Sequence, residues 1–164
     1  MTGTDISSVR EIIAGIPDPE IPVITIDELG ILRDVSVDAD GTVTVLITPT
    51  YSGCPAMMAI EQDIRDALAR HGHEKVNVKL VYHPVWTTDW IPDSAKEKLR
   101  EYGIAPPPHS TNDKSVLSLH PKAVPCPRCG SVRTTMVSPF GSTACKSLYK
   151  CEDCLEPFDH FKCH

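Results

Sequence analysis

Two Cys-x-x-Cys pairs, Cys126-Pro-Arg-Cys129 and Cys151-Glu-Asp-Cys154, stand 21 residues apart near the end of the chain. No other feature narrows the possible folds as far. A Cys-x-x-Cys turn lets two thiolates reach one metal at about 2.3 Å, and two such turns complete a tetrahedron. The stretches between them, VRTTMVS and CKSLYK, read as strands, so the pairs sit at the two ends of a hairpin. This is a zinc-ribbon pattern. Residues 125–164 offer too little core to fold alone, so the metal is expected to supply most of their folding free energy. Cys126, Cys129, Cys151 and Cys154 are the expected ligands of a structural zinc. A rubredoxin-like iron centre or an iron–sulfur ligand set is the functional alternative.

Six of the seven cysteines, and all three phenylalanines, lie after residue 125. Cys145 and Cys163 are left over; small buried residues are the expectation for both, although either can stand in for a ribbon ligand. Phe140, Tyr149, Phe158 and Phe161 are expected to cover one face of the ribbon. The start of the chain shows no basic flank before an apolar stretch, so no secretory signal is expected. The cysteines therefore read as metal ligands or reactive thiols in a cytoplasmic protein, not as disulfides. No apolar run approaches the ~20 residues of a membrane span.

Charge divides the chain in the same place. Residues 1–104 carry 9 Lys and Arg against 17 Asp and Glu, a net −8, whereas residues 105–124 and 125–164 each carry +1. The overall −6 argues against non-specific contact with nucleic acid or anionic lipid. Four thiolates around Zn²⁺ add −2, which weakens nucleic-acid binding by the ribbon further. The expected organisation is an α/β domain over 1–104, a Pro-rich linker over 105–124 and a Cys₄ ribbon over 125–164. The fold class is α+β.

Within the first domain, residues 7–16 place Val9, Ile12, Ile13 and Ile16 on one helical face, with Ser8 and Glu11 as a capping box. Asp18-Pro-Glu-Ile-Pro22 reads as a rigid acidic turn. Thr25 and Glu28 cap a single turn closed at Gly30. Residues 31–37 and 42–48 read as an antiparallel hairpin, 55–71 as a helix and 75–82 as a third strand. Strand, helix, strand in that order predicts a parallel right-handed crossover and a mixed three-stranded sheet. A last helix is expected over 93–102, capped by Asp93 or Ser94.

Cys54, in Gly53-Cys54-Pro55, is the one cysteine of this domain. Its place before a helix favours a thiolate through the free N–H groups and the helix dipole, making it a nucleophile or a soft-metal ligand. His71, His73 and His83 reach it only through the fold, so a Cys/His hydrolase has little support. One thiol cannot complete an iron–sulfur site; a second chain or a partner must supply the others. Asp18, Glu20, Asp27 and Glu28 read as turn and cap residues. Trp86 and Trp90 read as packing over the sheet end, with a ligand wall near Cys54 as the alternative.

Asp18-Pro-Glu-Ile-Pro22, Leu29-Gly30, Thr50-x-x-Gly53-Cys54-Pro55 and Pro84-Val-Trp86-Thr87 resemble the SufT-like family of iron–sulfur assembly factors over residues 7 to about 104. With the ribbon, including FGSTACKSLYKC and CLEPFDHFKCH, the whole chain resembles the PaaD family. Those proteins are accessory subunits encoded with the ring-1,2-phenylacetyl-CoA epoxidase of aerobic phenylacetate degradation. The resemblance implies a non-catalytic factor that matures or maintains a metal centre of that system. The clients would be its flavin and [2Fe–2S] reductase or its di-iron oxygenase subunit. It implies a reactive thiol at Cys54 with Asp18, Glu20 and Thr50 nearby, and a transient iron–sulfur cluster besides the zinc. A homo-oligomer is compatible with it. The competing expectations are a rubredoxin-like electron-transfer component and a structural adaptor holding the epoxidase subunits together.

Overall fold

Two β-branched runs and an amphipathic helix build the first unit, Met1–Ile91, in a computed structural model that describes residues 5–108 and 123–162. Strands β1 (Leu32–Val37) and β2 (Val43–Ile47) form the antiparallel hairpin, with Val35 opposite Val45. Helix α2 (Ala56–Arg70) then crosses over to β3 (Val76–Leu80), which pairs in parallel with β2. The sheet order is β1-β2-β3. Alternation along β2 buries Val43, Val45 and Ile47, while Ile60, Ile64 and Leu68 of α2 are fully buried. Helix α1 (Ile6–Ala14) contributes Val9 and Ile13.

Helix α1 begins earlier than its capping-box pattern predicts. Asp5 is the N-cap and its carboxylate accepts the Ser7 N–H at 3.1 Å, so Ser8 and Glu11 lie inside the helix. A carboxylate one turn upstream is the stronger cap because it also meets the positive end of the dipole. The second pattern forms as read: the Glu28 N–H donates to Thr25 Oγ1 and the Thr25 N–H to Glu28 Oε2. Gly30 closes that turn with φ +73°, and a Cβ there would stand 3.1 Å from Trp90 Cβ. The indole N–H of Trp86, itself buried, donates to the Leu29 carbonyl at 2.7 Å. Arg33 lies over the Trp90 ring. Both tryptophans thus pack on the Leu29-Gly30 step.

The second unit, Pro92–His164, starts before the expected boundary at 104. Helix α3 (Asp93–Tyr102) has Pro92 at its N-cap with no side-chain cap, so neither Asp93 nor Ser94 plays that part. The short β4 (Ile104–Ala105) follows and pairs in parallel with β7 (Pro157–Phe161), drawing the start of the expected linker into a sheet. Strands β5 (Thr134–Ser138) and β6 (Lys146–Cys151) complete the order β4-β7-β6-β5. One sheet face carries Ala105, Tyr149 and Phe158, which cluster with Val124, Cys126 and Cys151. Phe140 is exposed instead, with Lys162 over its ring. Cys163 lies outside the described residues. No helix among the described residues is long and apolar enough to cross a membrane.

Candidate functional site

Pairing of Thr134 with Cys151 brings the two ends of the β5–β6 hairpin together, and the two Cys-x-x-Cys turns with them. The sulfur atoms of Cys126, Cys129, Cys151 and Cys154 all lie within 4.8 Å of one another. Cys126 and Cys154 are 3.8 Å apart, and Cys129 and Cys151 are 3.5 Å apart. A tetrahedron with metal–sulfur bonds of ~2.3 Å has edges of about 3.8 Å, so the donor set fits one thiophilic ion. Cys145 is not in this cluster; it is buried, with Thr143 Oγ1 at 3.0 Å from its sulfur.

Each turn is a loop closed by its own backbone. The Cys126 N–H donates to the Ser131 carbonyl and the Cys151 N–H to the Glu156 carbonyl. The residue after the second cysteine turns left-handed in both, Gly130 with φ +75° and Leu155 with φ +65°. Glycine takes that conformation freely, whereas leucine is strained by roughly 1–2 kcal/mol. Asp153 ties the turns together through Ser131 and Arg133. The Cys151 thiol is lowered to about 7, chiefly by the Cys154 N–H aimed at its sulfur. Such a site loses protons as it takes up metal.

The thiol of the first unit stands in a different setting. Cys54 precedes α2, whose N-cap is Pro55, and its carbonyl accepts the Met57 N–H. The Ala56 N–H and the Thr50 hydroxyl favour the thiolate, as expected at a helix start. The expected thiolate does not follow. Partial burial raises the Cys54 thiol above its ordinary value and outweighs those hydrogen bonds; the negative charges of Glu20 and Asp18 raise it further. Cys54 is therefore a protonated thiol in an acidic surrounding at neutral pH.

The acidic turn has a defined role in this geometry. Asp18 is buried, and its Oδ1 accepts the N–H groups of Glu20 at 2.9 Å and Ile21 at 2.8 Å. It fixes the backbone that presents Glu20. Thr50 is buried as well. His71 is at the far end of α2, its Nδ1 on the Ala67 carbonyl at 2.8 Å. A helix of 15 residues is about 22 Å long, so His71 cannot serve Cys54 as a base.

Sequence reasoning passed over His160. Strand β7 puts it on the same sheet face as Phe158, and it is 9% exposed. Burial lowers its pKa to about 4, so the ring is neutral at pH 7. The alternation Phe158-Asp159-His160 was the available signal, because period 2 sends the histidine inward with the phenylalanine.

Comparison with known proteins divides the chain along similar lines. The PaaD zinc beta ribbon domain matches residues 110–162, and an iron–sulfur cluster assembly protein family matches residues 6–80. A protein of Escherichia coli (strain K12) named as a subunit of 1,2-phenylacetyl-CoA epoxidase is 52% identical over 153 residues, covering 93% of this chain and 89% of its own. An Fe–S protein maturation auxiliary factor of Porphyromonas gingivalis is 40% identical over 83 residues, 50% of this chain and 78% of its own. Among solved structures, a DUF59 domain of unknown function from Bacillus anthracis aligns with a TM-score of 0.53 at 26% identity, over 57% of this chain and 90% of its own.

Proposed function

The chain belongs to the PaaD family of 1,2-phenylacetyl-CoA epoxidase subunits, and from that premise we propose that it is an accessory protein that delivers iron, free or as an iron–sulfur cluster, to a metal centre of the epoxidase system. The observation that carries this reading is the position of Cys54 at the start of α2, with Thr50, Asp18 and Glu20 close enough to act on its thiol. It lies in the half of the chain that matches the iron–sulfur assembly family.

Cargo and site are complementary. The negative potential of the two carboxylates draws a cation in, and the Cys54 thiols of two copies of the chain hold it between them, more loosely than a set of four thiolates does. Binding replaces the thiol proton by iron: the S–H bond breaks, the S–Fe bond forms and the proton leaves to water, with no change of oxidation state. Glu20 supplies a hard oxygen next to the soft sulfur. Asp18 positions Glu20 through the turn, and Thr50 hydrogen-bonds the sulfur. Because the unloaded site prefers the protonated thiol, the cargo is released when a client offers more thiolates. Such a ligand suits a carrier better than a storage site.

The ribbon takes a separate part. Zinc in the Cys126, Cys129, Cys151, Cys154 site holds the second unit folded and leaves Cys54 as the transferring thiol. On this reading the chain turns over no phenylacetyl-CoA; the reductase or the oxygenase subunit is the client. The test is to co-produce the epoxidase components with the wild-type chain or with Cys54→Ala, and to measure iron and acid-labile sulfide per reductase and per oxygenase subunit. Occupancy should fall severalfold with Cys54→Ala while the ribbon keeps its zinc. Full occupancy with the variant would remove the role assigned to this thiol.

A further inference from the structure

A thiol, two nearby carboxylates and several exposed apolar side chains gather at one end of the first unit. The chain leaves β2 at Ile47 and enters α2 just after Cys54. Strand β3 runs parallel to β2, with Leu80 level with Ile47 and the Val81 N–H on the Ile47 carbonyl. The end of β3 therefore lies at the same end of the sheet as the Cys54 loop. Level partners of a parallel pair share a face, so Leu80 is on the face that β2 buries through Val43, Val45 and Ile47. Leu80 is nevertheless 45% exposed, Tyr82 beyond it 56%, and Met58 in the first turn of α2 83%. Gly53, just before the thiol, stands in the open: a Cβ there would meet nothing within 4 Å.

We infer that a second copy of the chain docks on this end through Met58, Leu80 and Tyr82, and that a ferrous ion bridging the two Cys54 sulfurs drives the docking. The inference rests on the carrier role of Cys54 and adds to it the contact surface and the dependence of assembly on metal. One copy offers one sulfur and, at Glu20, one carboxylate close enough to raise the thiol. A two-fold axis beside Cys54 doubles these to two sulfurs and two oxygens, a four-donor set that one chain does not supply. The same axis sets Met58, Leu80 and Tyr82 of one copy against those of the other and covers apolar surface that a single chain leaves in water. Area and charge make the metal necessary. A stable interface takes about 800 Å² per partner, more than three partly exposed side chains provide. Residues 1–104 carry a net −8, and Asp18 and Glu20 of both copies converge at the axis, so unbridged copies repel. Bridging breaks two S–H bonds and forms two S–Fe bonds; both protons leave to water and the iron stays ferrous. Those bonds hold the copies together against the repulsion.

The full-length, zinc-loaded chain is titrated anaerobically with ferrous ion alone. Mass is followed by sedimentation velocity, and iron per chain is measured after desalting. Wild type should pass from monomer to dimer as it takes up one ferrous ion for every two chains, and Cys54→Ala should take up none and stay monomeric. Met58→Gln combined with Tyr82→Gln removes apolar surface without adding charge. Both side chains are exposed, so the variant keeps its fold, and its iron-bound dimer should be about tenfold weaker. Iron held through Cys54 in a monomer would overturn this inference and leave the delivery of iron by Cys54 standing. Equal iron in wild type and Cys54→Ala would remove both. A dimer that forms equally well without iron, or one that the Met58→Gln and Tyr82→Gln changes leave as tight as before, would also overturn it.

Discussion

Gly141→Ala should destabilise the second unit by about 2–3 kcal/mol. A Cβ at Gly141 would stand 2.5 Å from Asp159 Oδ1 and 3.4 Å from its Cγ, a separation that atoms do not tolerate. The same carboxylate accepts the Ser142 hydroxyl at 2.9 Å and faces Lys146 Nζ at 3.7 Å. The Lys146 side chain is only 6% exposed, so little water can replace Asp159 beside its ammonium. Gly141 cannot retreat, because its N–H donates to the Lys146 carbonyl at 2.7 Å. The carboxylate must therefore turn at Oδ1, and Oδ2 loses its present geometry with Ser142 and Lys146. Breaking a buried pair by removing one partner costs about 3–5 kcal/mol, and partial exposure of Asp159 brings the expectation to the lower side of that range. The assay is urea unfolding of the zinc-loaded chain followed by circular dichroism and by tryptophan fluorescence. Both tryptophans, Trp86 and Trp90, lie in the first unit. The fluorescence transition should stay in place while the transition of the ribbon moves down. Asp159→Ala should cost a similar amount, and the double variant little more than either alone. A shift below about 0.5 kcal/mol, or full additivity of the two changes, would refute the reasoning.

Leu155→Gly relieves the left-handed strain of the second Cys-x-x-Cys turn at the cost of a more flexible unfolded chain. A net gain of roughly 0.5–1 kcal/mol is expected in the unfolding midpoint of the ribbon. Alkylation of Cys54 by iodoacetamide should rise with pH along a curve centred above that of an ordinary thiol. Glu20→Gln should move the curve down, since Glu20 raises this thiol; an unmoved curve would contradict the proximity. His160 has a depressed pKa of about 4 in the fold against an ordinary value near 6.5. Unfolding therefore binds a proton between those values, and stability present above pH 6.5 is lost as pH falls towards 4. The loss is about 3 kcal/mol, and a folded His160→Leu should lack that part of the acid slope.

The pattern of legibility follows from range. The β2 run Val43–Ile47 and the apolar spacing of α2 are read directly, because period and β-branching act within one element. The four ribbon cysteines are equally plain, since the spacing itself encodes the tetrahedron. Strand β7 is harder: it opens on Pro157 and runs only five residues between a metal turn and the chain end. The place of α3 and β4 in the second unit rests on the parallel pairing of Ile104 with Asp159, a contact 55 residues long in sequence that no local signal carries. The Cys54 thiol is misread for a physical reason. Sequence shows the helix start that favours a thiolate, but burial and the approach of Glu20 and Asp18 come from tertiary structure, and they win.

The central claim assigns zinc to the ribbon and the iron cargo to Cys54. Its most direct test is metal and acid-labile sulfide analysis, with an absorption spectrum, of the anaerobically purified chain after incubation with iron and sulfide, for wild type and Cys54→Ala. The account predicts about one zinc per chain in both, with iron, sulfide and the visible absorption present in wild type and lost in the variant. Equal iron and sulfide in both proteins, or iron in place of zinc at the ribbon cysteines, would contradict it.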